Sequence, residues 1–185
     1  MRKYSRKGEK IVEKVGSWYI GVSAEAFAAA QFARYGYKVS VQYGADQPEY
    51  DLIVNSGDEN KKDQMLKISV KGSQDGGWGL TQSYKKGRTY HEAIDEWLKA
   101  HGKKTVFCLV QFQGVNDDEM PRMYLATPGE IAEVMKKSRA GEGDTVLREY
   151  KKWVGNGVAK GMVDELPKEW VFTKERARYI FDKYA

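Results

Sequence analysis

The chain has little of what several function classes require. Of its 185 residues one is cysteine, Cys108, set in the apolar run "VFCLV". An intramolecular disulfide is excluded, which fits a reducing compartment, and Cys108 reads as a small core residue. His91 and His101 are the only histidines, and neither has a cysteine partner or a second histidine at zinc spacing. No apolar run approaches the ~20 residues of a membrane span. The charged N-terminus is not followed by an apolar stretch, so no secretory signal is expected. A cytoplasmic location without a membrane partner is the expectation. "GNGVAKG", Gly155–Gly161, misses the GxGxxG dinucleotide spacing, and "GSQDGGWG" lacks the Lys-Ser/Thr ending of a phosphate loop. There is no internal repeat and no low-complexity tract.

What is present describes one globular domain over residues 1–185. Hydrophobic residues make up 41%, enough for a core. The net charge of +5 permits a polyanionic partner without demanding one. Residues 1–14 carry six basic and two acidic side chains, most of that excess. They read either as a soluble tail or as an arm that contacts phosphates.

Periodicity orders the elements. "SAEAFAAAQFARYGYKV" predicts a helix capped by Ser23 and stopped by Gly36, running into a strand. "YKVSVQY" and "YDLIV" predict strands, and "NSGDENKKDQ" a hairpin connection. In "MLKISVKG" the apolar Leu66, Ile68 and Val70 alternate with Lys67, Ser69 and Lys71, the mark of a strand. "HEAIDEWLKAHG" predicts a second helix, and "KTVFCLVQF" a central strand covered on both faces. "RMYLATP" leads into a helix with Thr127 as N-cap, Pro128 at its first position and Glu130 closing a capping box. "TVLREYKKWV" reads as a weak helix and "TKERARYIFDKY" as a final one. Tyr179, Ile180 and Tyr184 of that last helix are expected to pack on the core, with a homodimer contact as the alternative. The sum is an α/β (or α+β) sandwich: a mixed sheet flanked by helices.

Three charged residues stand where apolar ones would be ordinary. Glu25 shares a helical stripe with Ala28, Ala29 and Phe32. Asp51 opens the buried strand "DLIV". Lys71 closes the alternating strand, on the same face as Ser69. Singly, each has an ordinary structural explanation: a helix-dipole acid, a turn residue, a solvated strand end. Together, "GVSAEAFAAAQFARYGYKV", "QPEYDLIV" and "KISVKGS" resemble the PD-(D/E)xK nuclease superfamily, over roughly Ile20 to Gln111, about half the chain.

That resemblance implies a restriction-endonuclease-like αβββαβ core, placed over residues 20–127; residues 128–185 lie beyond the resemblance and are expected to wrap the core as a C-terminal helical extension. It implies cleavage of phosphodiester bonds with Mg²⁺ or Mn²⁺, with DNA the favoured substrate. Glu25 and Asp51 would be the metal ligands and Lys71 the cation beside the scissile phosphate. One departure stands out: Ser69 occupies the place of the usual acid two residues before the lysine. Glu49 is a further carboxylate that could face the site. Ser73 and Gln74 follow the lysine strand and are candidates for phosphate or water contact. Lys85, Lys86 and Arg88 form a basic cluster between Tyr84 and Tyr90, which reads either as a phosphate-contacting loop or as a solvated turn. Trp78 is expected to pack over its Gly-rich loop, with base stacking as the alternative. A catalytically inactive nucleic-acid-binding module on the same fold is the second reading, and a purely structural domain the third.

Overall fold

The computed structural model of the protein describes residues 15–42, 50–58, 61, 63–102 and 104–185. The basic arm of residues 1–14 and the loop carrying Glu49 lie outside the described residues.

Helix α1 spans Ser17–Arg34 and is followed by strands β1 (Lys38–Val41), β2 (Leu52–Asn55) and β3 (Met65–Ser73). A three-residue strand β4 (Gly77–Gly79) precedes α2 (Tyr90–Lys99), β5 (Thr105–Gln111), β6 (Arg122–Ala126) and α3 (Pro128–Lys137). Short strands β7 (Val146–Arg148), β8 (Tyr150–Lys152) and β9 (Val163–Glu165) then lead to α4 (Lys174–Tyr184).

The central sheet has the order β1-β2-β3-β5-β6. Strands β1, β2 and β3 are antiparallel neighbours, so the β2–β3 connection is the expected hairpin. Strand β5 lies parallel to β3, reached by the crossover through α2, and β6 returns antiparallel to β5. Every residue of β5 is buried. This is the central, doubly covered position that its unbroken apolar run predicts. The mixed α/β class is therefore as expected.

Alternation in β3 sorts its side chains between two layers. Leu66, Ile68 and Val70 join Leu52, Val54, Ala28 and Phe32 in one core, closed by Ile180 and Phe181 of α4. On the opposite face Phe107 and Leu109 meet Ile94 and Trp97 of α2 and Ile131 and Met135 of α3. Helix α3 carries the predicted capping box: Thr127 accepts from the Glu130 N–H, Glu130 accepts from the Thr127 N–H, and Pro128 opens the helix. In α4, Ile180 is buried and Tyr184 packs on the core, whereas Tyr179 is exposed beneath Lys183. Cys108 is a free, buried thiol whose pKa burial pushes far up. Among the described residues no helix is long and apolar enough to cross a membrane.

Two local expectations change. Helix α1 starts at Ser17 with Gly16 before it, not at Ser23. Nothing from Ser17 to Val22 breaks a helix outright, and Ile20 is seated against Gly72 of β3, so tertiary contact extends the helix backward. "TVLREYKKWV" forms β7 and β8, not a helix, so residues 128–185 are not an all-helical extension. Strand β7 pairs with β4, placing Leu147 opposite Trp78 in the second core, and β8 pairs with β9. The glycine-flanked β4 leaves room for this: a Cβ at Gly77 would lie 2.9 Å from Val146 Cγ1.

Candidate functional site

Asp51 sits at the doorstep of β2. Its N–H donates to the Ile68 carbonyl at 2.8 Å, and its Oδ2 accepts from the Val70 N–H at 2.6 Å. The carboxylate is thus fixed across the β2–β3 pair, while Oδ1 has no hydrogen-bond partner among the described residues. Glu25 follows the buried Ala24 on α1 and lies at the margin of the helix face that covers β3. Its carboxyl is held above the ordinary carboxylate range, first by burial, second by the negative charge of Asp51, with Lys71 opposing. Glu25, Asp51 and Lys71, from a helix, a strand start and a strand end, therefore fall within one electrostatic neighbourhood. None of the three touches another in a direct hydrogen bond or ion pair among the described residues.

Lys71 is exposed at the end of β3. Its backbone is anchored by the buried Trp78, whose indole N–H donates to the Lys71 carbonyl at 2.8 Å. Lys71 forms part of the wall of a cleft of about 280 Å³, together with Ser17, Ile20, Asp75, Trp78 and Leu80. Glu25 and Asp51 are not in that wall, so Lys71 is the residue common to the carboxylate pair and the cleft.

The other site residues read from the sequence distribute as follows. Ser69 is buried on the Lys71 face of β3, beside Phe107 of β5. Ser73 is also buried; its hydroxyl donates to Asp75 Oδ1 at 3.1 Å and accepts from the Asp75 N–H at 3.3 Å. Gln74 donates to the Val15 carbonyl at 2.7 Å. Both line the cleft, but their polar groups are engaged in fastening the β3–β4 loop to itself and to the start of α1. Lys85 donates to the Arg88 carbonyl, Arg88 donates to the Tyr84 carbonyl at 3.3 Å, and Lys86 is exposed. These three occupy the loop that leaves the cleft after Leu80. Trp78 is packed in the core, so its indole face is not open for stacking. His91 and His101 bond to the Gly141 and Trp97 carbonyls. Among the described residues no three His, Cys, Asp or Glu side chains converge on a common point.

Two features of the site were missed by sequence reasoning. One is the Trp78 clamp on Lys71, which no local pattern announces. The other is Asp75, whose pairing with Ser73 has a faint local signal in the Ser-x-Asp spacing.

Glu25 and Asp51 are the carboxylates of this neighbourhood that could hold a hard divalent cation. Two like charges close enough to raise a pKa, with no proton donor between their side chains, leave a repulsion that a cation would relieve. Mg²⁺ sites commonly use only one or two carboxylates, completed by water and substrate phosphate.

No protein-family model, curated protein or solved structure matches the chain.

Proposed function

We propose that the protein hydrolyses phosphodiester bonds in nucleic acid, with DNA the favoured substrate and Mg²⁺ or Mn²⁺ the required ion. The reading follows the PD-(D/E)xK resemblance of the sequence. The observation that supports it is the coupling of Glu25 to both Asp51 and Lys71, three residues distant in the chain. A divalent ion held by Glu25 and Asp51 would supply positive charge to the phosphodiester and acidify a water. Asp51 is suited to holding because the Val70 N–H fixes its carboxylate. Lys71 brings an ammonium with no hydrogen-bond or ion-pair partner among the described residues, available for the negative charge that builds on the phosphoryl oxygens. One preorganised contact of that kind is worth about 3 kcal/mol, on the order of 10²–10³ in rate. The single, buried, unpaired Cys108 and the absence of a long apolar helix among the described residues favour a cytoplasmic setting.

The test is nicking of supercoiled DNA with Mg²⁺, Mn²⁺ or EDTA, using wild type, Asp51→Ala and Lys71→Ala. Cleavage should need the ion and fall on the order of 10²–10³ in the Lys71 variant. Equal nicking by wild type and Lys71→Ala would overturn the assignment.

A second reading is a binding module without turnover. It rests on Ser69, a buried hydroxyl where the resemblance leads one to expect a third acid. Salt-sensitive binding with no ion-dependent nicking selects it.

A further inference from the structure

Helix α1 is apolar on both sides. Its inner residues Ala24, Ala28 and Phe32 are buried in the first core. Its outer residues Trp18, Tyr19, Val22, Ala26, Ala30 and Ala33 are all exposed. Val22 follows Trp18 and Tyr19 by four and three residues, and the alanines continue at steps of four, four and three, which sets all six on one stripe. Trp18 and Tyr19 are 69% and 61% accessible, and their rings meet edge to face at 5.0 Å. Between Trp18 and Ala33 the single charged residue is Glu25, which lies off the stripe at the margin turned to β3. A solvent-facing helix surface ordinarily carries charge, and a helix that is apolar all round is ordinarily covered. Among the described residues nothing covers this one.

The stripe is graded along the helix. Its bulky side chains, Trp18, Tyr19 and Val22, stand in the first half, and its alanines in the second. Two such helices packed antiparallel about a two-fold axis at Ala26 set large against small along their whole length. Tyr19 then meets Ala33 of the second copy, Val22 meets its Ala30, and Ala26 meets its own equivalent. The same pairing carries Arg34, the exposed residue that ends α1, onto the Trp18 ring of the other copy as a cation–π contact. It also sets the two helix dipoles head to tail. Parallel pairing would instead set the aromatic residues against themselves and hold the alanines apart. The exposed parts of the stripe amount to on the order of 500 Å² per copy, so a pair buries on the order of 1,000 Å², within reach of a specific interface.

We infer that this face of α1 joins two copies of the chain, antiparallel, through a two-fold axis at Ala26. The chemistry of the face selects a second copy over other occupants. Nucleic acid is held by cations, and the stripe has none before Arg34. Residues 1–14 carry six basic and two acidic side chains, a poor match for an uncharged surface. The large-to-small gradient, by contrast, is complementary to itself. The inference is independent of the hydrolytic reading, and its test needs neither metal nor nucleic acid.

The experiment is light scattering on a sizing column, from low to high micromolar protein. Wild type should reach twice the chain mass at the upper end. Val22→Glu and Ala30→Lys should each weaken association by about tenfold or more, because each buries an unpaired charge twice in the symmetric contact. Val22→Glu/Ala30→Lys should recover the dimer, since each glutamate then meets a lysine of the other copy; eight residues apart on one helix, the two cannot pair. Ala26→Cys should give a covalent dimer on mild oxidation, and the native chain should not, since Cys108 is fully buried. A wild-type monomer at every concentration would overturn the inference and leave the face to residues 1–14 or to a different protein. A dimer that survives Val22→Glu would overturn it too, moving the contact elsewhere, such as to the exposed Tyr179 of α4. Should Val22→Glu unfold, Ala26→Cys decides: a dimer that does not cross-link sinks the two-fold axis at Ala26.

Discussion

Gly72 of β3 lies directly under Ile20 of α1. A Cβ at Gly72 would stand 2.8 Å from the Ile20 carbonyl oxygen, 2.9 Å from its Cγ2 and 3.0 Å from Ala24 Cβ. Helix α1 can approach β3 this closely only because residue 72 has no side chain. Glu25 follows Ala24, so the same contact sets how near its carboxylate comes to Asp51.

Gly72→Ala is therefore expected to push α1 outward. The overpacking should cost about 1–3 kcal/mol in urea unfolding. Nicking should fall by a larger factor than stability alone explains, because Glu25 moves with the helix. Full nicking by a destabilised Gly72→Ala protein would show that the helix position is immaterial to the site.

Glu25 gives a prediction with a definite sign in pH. Its folded pKa is raised above 4.5, so the folded state holds the proton more tightly than the unfolded state. Stability then falls as pH rises from the unfolded value through the raised folded one, and the ionised side chain remains a liability above that window. Glu25→Gln should melt higher than wild type at neutral pH, with the gain vanishing in acid below the ordinary glutamate pKa. Mg²⁺ should raise the melting temperature of wild type but not of the variant. A variant less stable than wild type at neutral pH would contradict the coupling of Glu25 to Asp51.

Trp78→Phe keeps an aromatic ring in the second core but removes the donor to the Lys71 carbonyl. A loss of about 1–3 kcal/mol is expected from the stranded acceptor, read from chemical denaturation. If the indole positions Lys71, kcat should fall while duplex binding in EDTA stays as in wild type. A change in affinity alone would assign Trp78 a role in docking.

Arg176 is buried in α4, donating to the Leu125 carbonyl at 3.1 Å and from Nη2 to both Glu130 oxygens at 2.8 Å. Arg176→Met should destabilise by about 3 kcal/mol, because Glu130 loses its counter-charge in a largely enclosed place. Adding Glu130→Gln should recover part of that loss. Additive losses in urea titrations would mean that the pair is uncoupled.

The sequence by itself determined what repeats at short range. The two-residue alternation of Leu66 to Val70 defined β3 and its two faces. The unbroken apolar run of residues 105–111 defined a strand with neighbours on both sides, and Thr127, Pro128 and Glu130 marked where α3 begins. These signals are local because backbone geometry repeats every two or 3.6 residues. Tertiary structure decided the rest. The segment 146–152 is strand only because β4 and β9 supply partners, and α1 starts seven residues early only because Ile20 finds Gly72. Glu25, Asp51 and Lys71 could be named from the chain, but their coupling depends on α1 lying against β3 and on β2 pairing with it. The cation–ring contacts of Lys85 and Arg139 with Tyr90, and of Arg139 and Lys151 with Trp153, have no sequence signature, since their members come from four separate segments. Contacts between such segments are fixed by packing, which follows no period along the chain.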